Sequence, residues 1–249
     1  MTRVRLDKGR DGVSYKWFAF GSIAAALLIC ALFFTDATLP SKSTIRSSVL
    51  DNGKASAAAV TSAAKSGASV PQSATEGRRI TFELASLKGG GTGTLTIQTR
   101  PSWAPLGVAQ FHALVDAGFF EGCRFFRVVP NFVVQFGISG NPAVQAEWRK
   151  IRLQDDPVVA TNKRGTVTFA TSGPNTRTTQ MFINTAANKG LDGQGFSPIG
   201  EIISGMDVVD QINDEYREKP KQGKIQMKGN AYLEEFPKMS YISSTKDKV

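Results

Sequence analysis

Between residues 80 and 242 the chain is cut into short apolar or alternating runs, each long enough for a single strand, and this segmentation limits the fold more than any other feature. "ITFELAS" and "TLTIQT" flank "KGGGTG", the pattern of a period-2 hairpin closed by a glycine-rich turn. Further β-type runs follow at 125–129, 132–136, 166–171, 180–185 and 199–203, and the tail through "MKGNAYLEEFPKMSYI" leads into a final strand that closes the sheet. Two segments read as helices. "APLGVAQFHALVDAG" sets Leu106, Val108, Phe111, Leu114 and Val115 near helical spacing and ends at Gly118, a C-cap residue. "GMDVVDQINDE", starting at Gly205, reads as the second amphipathic helix. Many short strands with two helices point to a mainly β antiparallel barrel rather than a βαβ sheet.

Ahead of this region stands "WFAFGSIAAALLICALFF", residues 17–34, with no charge over eighteen residues. As a helix it would span about 27 Å, close to the ~30 Å hydrocarbon layer. Positive charge precedes it (Arg3, Arg5, Lys8, Arg10 and Lys16 against Asp7 and Asp11) and Asp36 follows it. That asymmetry leaves residues 1–16 as a cytosolic tail and carries the rest of the chain across the membrane. A cleaved signal peptide, cut after Ala37, is the alternative; its apolar core would ordinarily be ~7–15 residues, shorter than this run. Residues 35–78, rich in Ser, Ala, Thr and Gly, cannot bury enough apolar area to offset their ordering entropy and read as a flexible stalk. The folded domain is then expected over 79–245. A type II protein facing the lumen of the secretory pathway, or an equivalent exocytoplasmic space, is the resulting expectation, with secretion after cleavage as its alternative.

Several classes of chemistry are disfavoured. The net charge of +9 sits largely in the N-terminal tail, Arg78–Arg79 and the stretch 217–228, with no aromatic residues interleaved along a basic stripe, so no nucleic-acid partner is expected. The two cysteines, Cys30 and Cys123, form no disulfide framework or metal spacing, and no metal or organic cofactor is implied. His112, the single histidine, falls on the exposed face of the first helix, with nothing to orient it toward Cys123 as a nucleophilic pair. "KGGGTG" lacks the GK[ST] ending of a phosphate loop.

What remains unexplained is "CRFFRVVPNFVVQFG", where Arg127 and Gln135 interrupt an apolar run. A buried cation is costly unless paired or used. In "TTQMFINT", Gln180 and Phe182 share one strand face while Met181 points to the other. Arg127, Gln135 and Gln180 as donors with Phe132 and Phe182 as walls would make an apolar pocket with a few fixed polar groups. An ordinary barrel core with Arg127 reaching to its rim fits the pattern equally, and the Pro130–Asn131 break hides the register between the two strands.

"FFEGCRFFRVVPNFVVQFG" and "ATSGPNTRTTQMFINTAANKGLDGQGFSPIGEIISGMDVVDQI" resemble the two signature segments of the cyclophilin family of peptidyl-prolyl cis/trans isomerases, and the similarity spans roughly residues 80–242. The resemblance implies an eight-stranded antiparallel barrel capped by two helices, acting on proline-containing polypeptides. It implies that Arg127 is the catalytic residue. It implies a proline pocket of Phe132, Val133, Phe182 and Leu191, with Gln135, Gln180, Ala170 and Thr171 holding the substrate backbone. Three departures stand out. Phe126 replaces the histidine before the arginine, Gly190 replaces the tryptophan before the leucine of "LDG", and a later histidine has no counterpart, with Phe196 or Ser197 nearby. Loss of that histidine is expected to remove one pocket wall, and loss of the tryptophan to leave weak or no cyclosporin binding. A catalytically weak module that binds proline-containing segments is the alternative to an active isomerase.

Overall fold

In a computed structural model, residues 77–248 are described. The basic tail, the apolar run 17–34 and nearly all of the stalk expected from the sequence lie outside the described residues.

Strands β1 (Arg79–Ala85) and β2 (Gly93–Thr99) form the expected hairpin, with Ile80 opposite Ile97 and Phe82 opposite Leu95. Their turn holds Gly89 and Gly90 at φ +80° and +84°, values that glycine adopts without a Cβ penalty. Six further strands follow: β3 (Arg127–Val129), β4 (Val133–Phe136), β5 (Thr166–Phe169), β6 (Met181–Asn184), β7 (Pro198–Ser204) and β8 (Tyr241–Lys248). They make one eight-stranded sheet in the order β3-β4-β6-β5-β7-β2-β1-β8, and every neighbouring pair is antiparallel. The residues leading into β3 meet the start of β8. Gly122 N donates to Ile242 O at 2.8 Å, Ile242 N to Cys123 O at 3.0 Å and Phe125 N to Ser240 O at 3.0 Å. These bonds join the two ends of the sheet and give it a barrel-like form.

Phenylalanines fill the interior. The Phe82 and Phe120 ring centroids lie 5.4 Å apart, and Phe125 and Phe136 lie 5.5 Å apart, distances at which tilted aromatic pairs attract beyond their area burial. The Cys123 thiol is buried in this core and donates to Phe119 O, and burial pushes its pKa up.

Helix α1 (Pro105–Asp116) covers one side of the sheet. Proline sits in its first turn, where no N–H is needed. Its next two amides, Leu106 N and Gly107 N, donate to the Asp156 carboxylate at 3.0 and 2.8 Å. The helix stops at Gly118, φ +64°, where Gly118 N bonds Val115 O and Phe119 N bonds Leu114 O. Val108, Phe111, Leu114 and Val115 are buried as expected, but Leu106 is 42% exposed. Gly107 and Gln110 take the inner face instead, because the helix lies so close to β7 that a Cβ on Gly107 would stand 2.8 Å from Ile199.

The expected pair of capping helices is corrected to one three-turn helix and several short ones. "GMDVVDQINDE" forms only α3 (Met206–Asp210), after the short α2 (Pro142–Trp148). Just beyond α3, Glu215 N bonds Asn213 Oδ1 and Asn213 N bonds Ser240 Oγ, both at 2.9 Å. Such side-chain bonds give the backbone an alternative to continuing the helix. The chain turns away into α4 (Gln222–Lys228) and α5 (Asn230–Leu233). These build a second apolar cluster of Phe126, Ile138, Ile225, Tyr232, Leu233 and Met239 beside the main core. Among the described residues no helix is long and apolar enough to cross a membrane.

Candidate functional site

Arg127 opens β3 and lies opposite Gln135 of β4, which lies opposite Phe182 of β6. One cross-strand row therefore carries all three. The tight turn at Pro130 and Asn131 (φ +58°) returns the chain with Phe132 N bonded to Val129 O at 3.1 Å. This sets the Phe132 ring near Arg127, whose guanidinium carbon is 5.8 Å from the ring centroid.

The polar groups form a relay. Arg127 Nη1 donates to Gln135 Oε1 at 3.4 Å, and Gln135 Nε2 donates to Gln180 Oε1 at 2.9 Å. Gln180 is held in turn by its own carbonyl, which accepts from Ala170 N at 2.9 Å. Arg127 Nε donates to Glu218 Oε1 at 2.6 Å. The Arg127 side chain is 15% exposed, so the guanidinium stands at the edge of the groove, between water and the apolar wall.

That wall is a compact cluster of Val133, Phe182, Leu191 and Phe196, with Phe132 and Ala170 packed against it. It lies on the opposite face of the sheet from the main core, which takes Val134, Phe136, Met181 and Ile183 from the same two strands. Strand alternation is the reason. Leu191 comes from the 3-10 segment Lys189–Gln194, and this segment is tied to the sheet by Asn162. Asn162 Nδ2 donates to Asp192 Oδ1 and Phe196 O, both at 2.8 Å, while its Oδ1 accepts from Thr168 Oγ1 and Asn184 Nδ2 at 2.9 and 3.2 Å. Burial opposes the Asp192 charge, but the bonds from Asn162 and Thr161 together with the Lys189 charge hold the carboxyl below its usual range. Thr171 follows Ala170, its hydroxyl 2.8 Å from that of Thr176 in a self-bonded turn.

Arg127, Phe132, Val133, Gln135, Ala170, Gln180, Phe182 and Leu191 thus converge, while Thr171, next to Ala170, bonds within its own turn. One residue was left open by the sequence and one was missed. The expected loss of a pocket wall is corrected by Phe196, which is buried against Phe182; Ser197 instead donates to Asp156 O at 2.7 Å, away from the groove. Sequence spacing narrowed the choice to these two and could go no further. Glu218 lies 91 residues from Arg127 within a basic stretch, and no local signal marks it. Phe126 turns into the second cluster, which accounts for an apolar residue at that position. Gly190 is exposed on the 3-10 segment, and a Cβ there would meet nothing within 4 Å.

His112 is not on an exposed face. It is half-buried, its Nε2 lies 3.1 Å from Thr99 Oγ1, and burial, with the nearby Arg78 charge, pushes its pKa down to about 4. Its ring and the Cys123 thiol each have other partners. Among the described residues no group of three or more His, Cys, Asp or Glu is placed to hold a metal ion.

The site can therefore hold an apolar ring, bond an extended backbone and offer a fixed cation, without nucleophile or general base. A family model described as "Cyclophilin type peptidyl-prolyl cis-trans isomerase/CLD" matches residues 81–230. A peptidyl-prolyl cis-trans isomerase of Acinetobacter baylyi is 36% identical over 126 residues, covering 48% of this chain and 66% of that protein. Peptidyl-prolyl cis-trans isomerase A of Dickeya dadantii is 35% identical over 127 residues, covering 49% and 66%. The matched stretch thus spans just under two thirds of these relatives' length. A crystal structure of a Cryptosporidium parvum cyclophilin type isomerase, in the presence of dipeptide ala-pro, superposes with a TM-score of 0.50 at 17% identity, covering 69% of this chain and 99% of that one. That likeness is one of fold.

Proposed function

Because this chain belongs to the cyclophilin type peptidyl-prolyl cis-trans isomerase family, we propose that it interconverts the cis and trans forms of X–Pro bonds in polypeptides, with Arg127 as the catalytic residue. The single observation that carries this reading is the Arg127–Gln135–Gln180 relay beside the apolar cluster of Val133, Phe182, Leu191 and Phe196.

Amide resonance sets a barrier of ~18–20 kcal/mol to this rotation, and uncatalysed exchange takes tens to hundreds of seconds. No bond is made or broken. The proline ring occupies the apolar cluster, with Phe132 and Phe182 as walls and Leu191 as floor. Gln180, Ala170 and Thr171 hold the chain preceding it. As the bond twists, the prolyl nitrogen loses conjugation and gains a lone pair, to which the Arg127 guanidinium donates. That bond is stronger in the twisted state than in either planar one, so it lowers the barrier. Gln135 keeps the guanidinium in place with its oxygen while its amide nitrogen is engaged by Gln180.

The apolar run 17–34 and its charged flanks support a signal anchor that places the domain across a membrane, on a stalk of residues 35–78. The open position at Gly190 supports weak or absent cyclosporin binding. The deciding experiment measures cis-to-trans conversion of an Ala–Pro peptide by the 249-residue chain beside its Arg127→Ala variant. Acceleration that falls about a hundredfold or more in the variant supports the isomerase. A folded chain that binds the peptide without accelerating it is a proline-binding module instead.

A further inference from the structure

β3 is an end strand of the sheet, and the 214–240 segment covers its free edge. Val128 N donates to Arg217 O at 3.1 Å, and Arg217 N to Asp214 O at 3.2 Å. Arg217 holds φ +48°, a left-handed conformation that a non-glycine residue keeps only when its surroundings impose it. The turn delivers the next residue, Glu218, to Arg127 Nε at 2.6 Å.

This segment is well anchored. Lys219 N bonds Tyr216 O at 2.9 Å, Lys221 N bonds the Tyr232 hydroxyl at 3.1 Å, and Pro220 is buried. The Tyr216 and Tyr232 rings both stand edge-on to Phe236, at 5.2 and 5.6 Å. Phe126, immediately before Arg127, is buried in the same cluster. One appendage therefore holds both the backbone entering the arginine and the Nε edge of its guanidinium. A guanidinium has five N–H donors in a rigid plane. With Nε on Glu218 and Nη1 on Gln135, two edges are fixed, and among the described residues no partner takes Nη2.

We propose that Glu218 is a positioning residue for the isomerisation, holding the Arg127 guanidinium so that Nη2 is presented to the prolyl nitrogen. This rests on the isomerase reading above. An unheld arginine samples several rotamers, and misplacement of a catalytic group lowers turnover more than ground-state binding. Glu218 is itself 58% exposed, so its removal leaves the fold intact.

The test compares the 249-residue chain with Glu218→Ala, Glu218→Gln and Arg127→Ala on one Ala–Pro peptide. Glu218→Ala is expected to lower kcat about tenfold with KM within about twofold. Glu218→Gln keeps an acceptor oxygen and is expected to recover kcat to within about threefold of the parent. Nitrogen-15 NMR gives a readout independent of turnover: water exchange of the Arg127 Nε–H is expected to quicken in Glu218→Ala, with an unchanged melting temperature. Unchanged or faster turnover in Glu218→Ala, while Arg127→Ala is inactive, overturns the role of Glu218 and leaves the isomerase standing. Absence of turnover in the parent chain overturns both.

Discussion

The Phe196 ring meets that of Phe182 at 70°, with centroids 5.7 Å apart. Edge-to-face pairs of this kind contribute about 0.5–1.5 kcal/mol beyond area burial. Where loss of the family's histidine was expected to remove a wall, the apolar cluster has a phenylalanine, fixed from behind by the bond from Asn162 to its carbonyl. Phe196→Ala is expected to raise KM for an Ala–Pro peptide about three- to tenfold while leaving kcat within twofold. Steady-state kinetics on the purified variant check this, and an unchanged KM would place the proline ring elsewhere.

Asp156 should be the costliest polar residue to remove. Its buried carboxylate accepts two α1 amides and pairs with the buried Arg177 at 3.0 Å. Truncating one partner of a buried pair strands the other charge, at a cost of about 3–5 kcal/mol. Asp156→Ala is therefore expected to lower the urea midpoint sharply, and Asp156→Asn, which keeps one acceptor, to lower it less. Equal midpoints for Asp156→Ala and the parent would refute the cap.

His112 gives a pH signature. Its folded pKa of about 4 lies below the ordinary 6.5 because burial disfavours the charged ring, with Arg78 adding repulsion. Between those values the unfolded chain binds more protons, so stability falls as pH drops from about 6.5 toward 4. In His112→Gln this part of the slope should vanish, leaving only the carboxylate contribution. Parallel thermal-melting profiles for the two proteins over that window would exclude the effect.

Gly190 is the position to restore a large ring. A Cβ there has free space, so Gly190→Trp should fold normally. It is expected to tighten cyclosporin binding at least tenfold by adding a stacking surface at the groove. Isothermal titration of both proteins provides the comparison, and equal affinities would mean that this rim position does not face the ligand.

Much of the barrel was legible because strand alternation is local. The runs at 80–86, 94–99 and 199–203 each overlap a strand of the sheet over most of its length. The two-residue spacing of Gln180 and Phe182, with Met181 turned inward, correctly separated groove from core. Of the short helices only α3, inside "GMDVVDQINDE", was legible, and its end was not. Four to seven residues are too few for a period of 3.6 to register, and α3 ends where Asn213 and Ser240 capture backbone amides.

By itself the sequence determined which residues alternate across each strand, which turns require glycine, and that Arg127 and Gln135 interrupt an apolar run. Those properties depend on neighbours a few positions away. Only the tertiary structure decided that Phe196 rather than Ser197 lines the groove, that Asp156 caps a helix 50 residues away, and that Glu218 meets Arg127 across 91 residues. Such pairings are set by the closure of the sheet and by the packing of the 214–240 segment on its edge. A side chain's periodicity carries no record of what a distant segment will bring beside it.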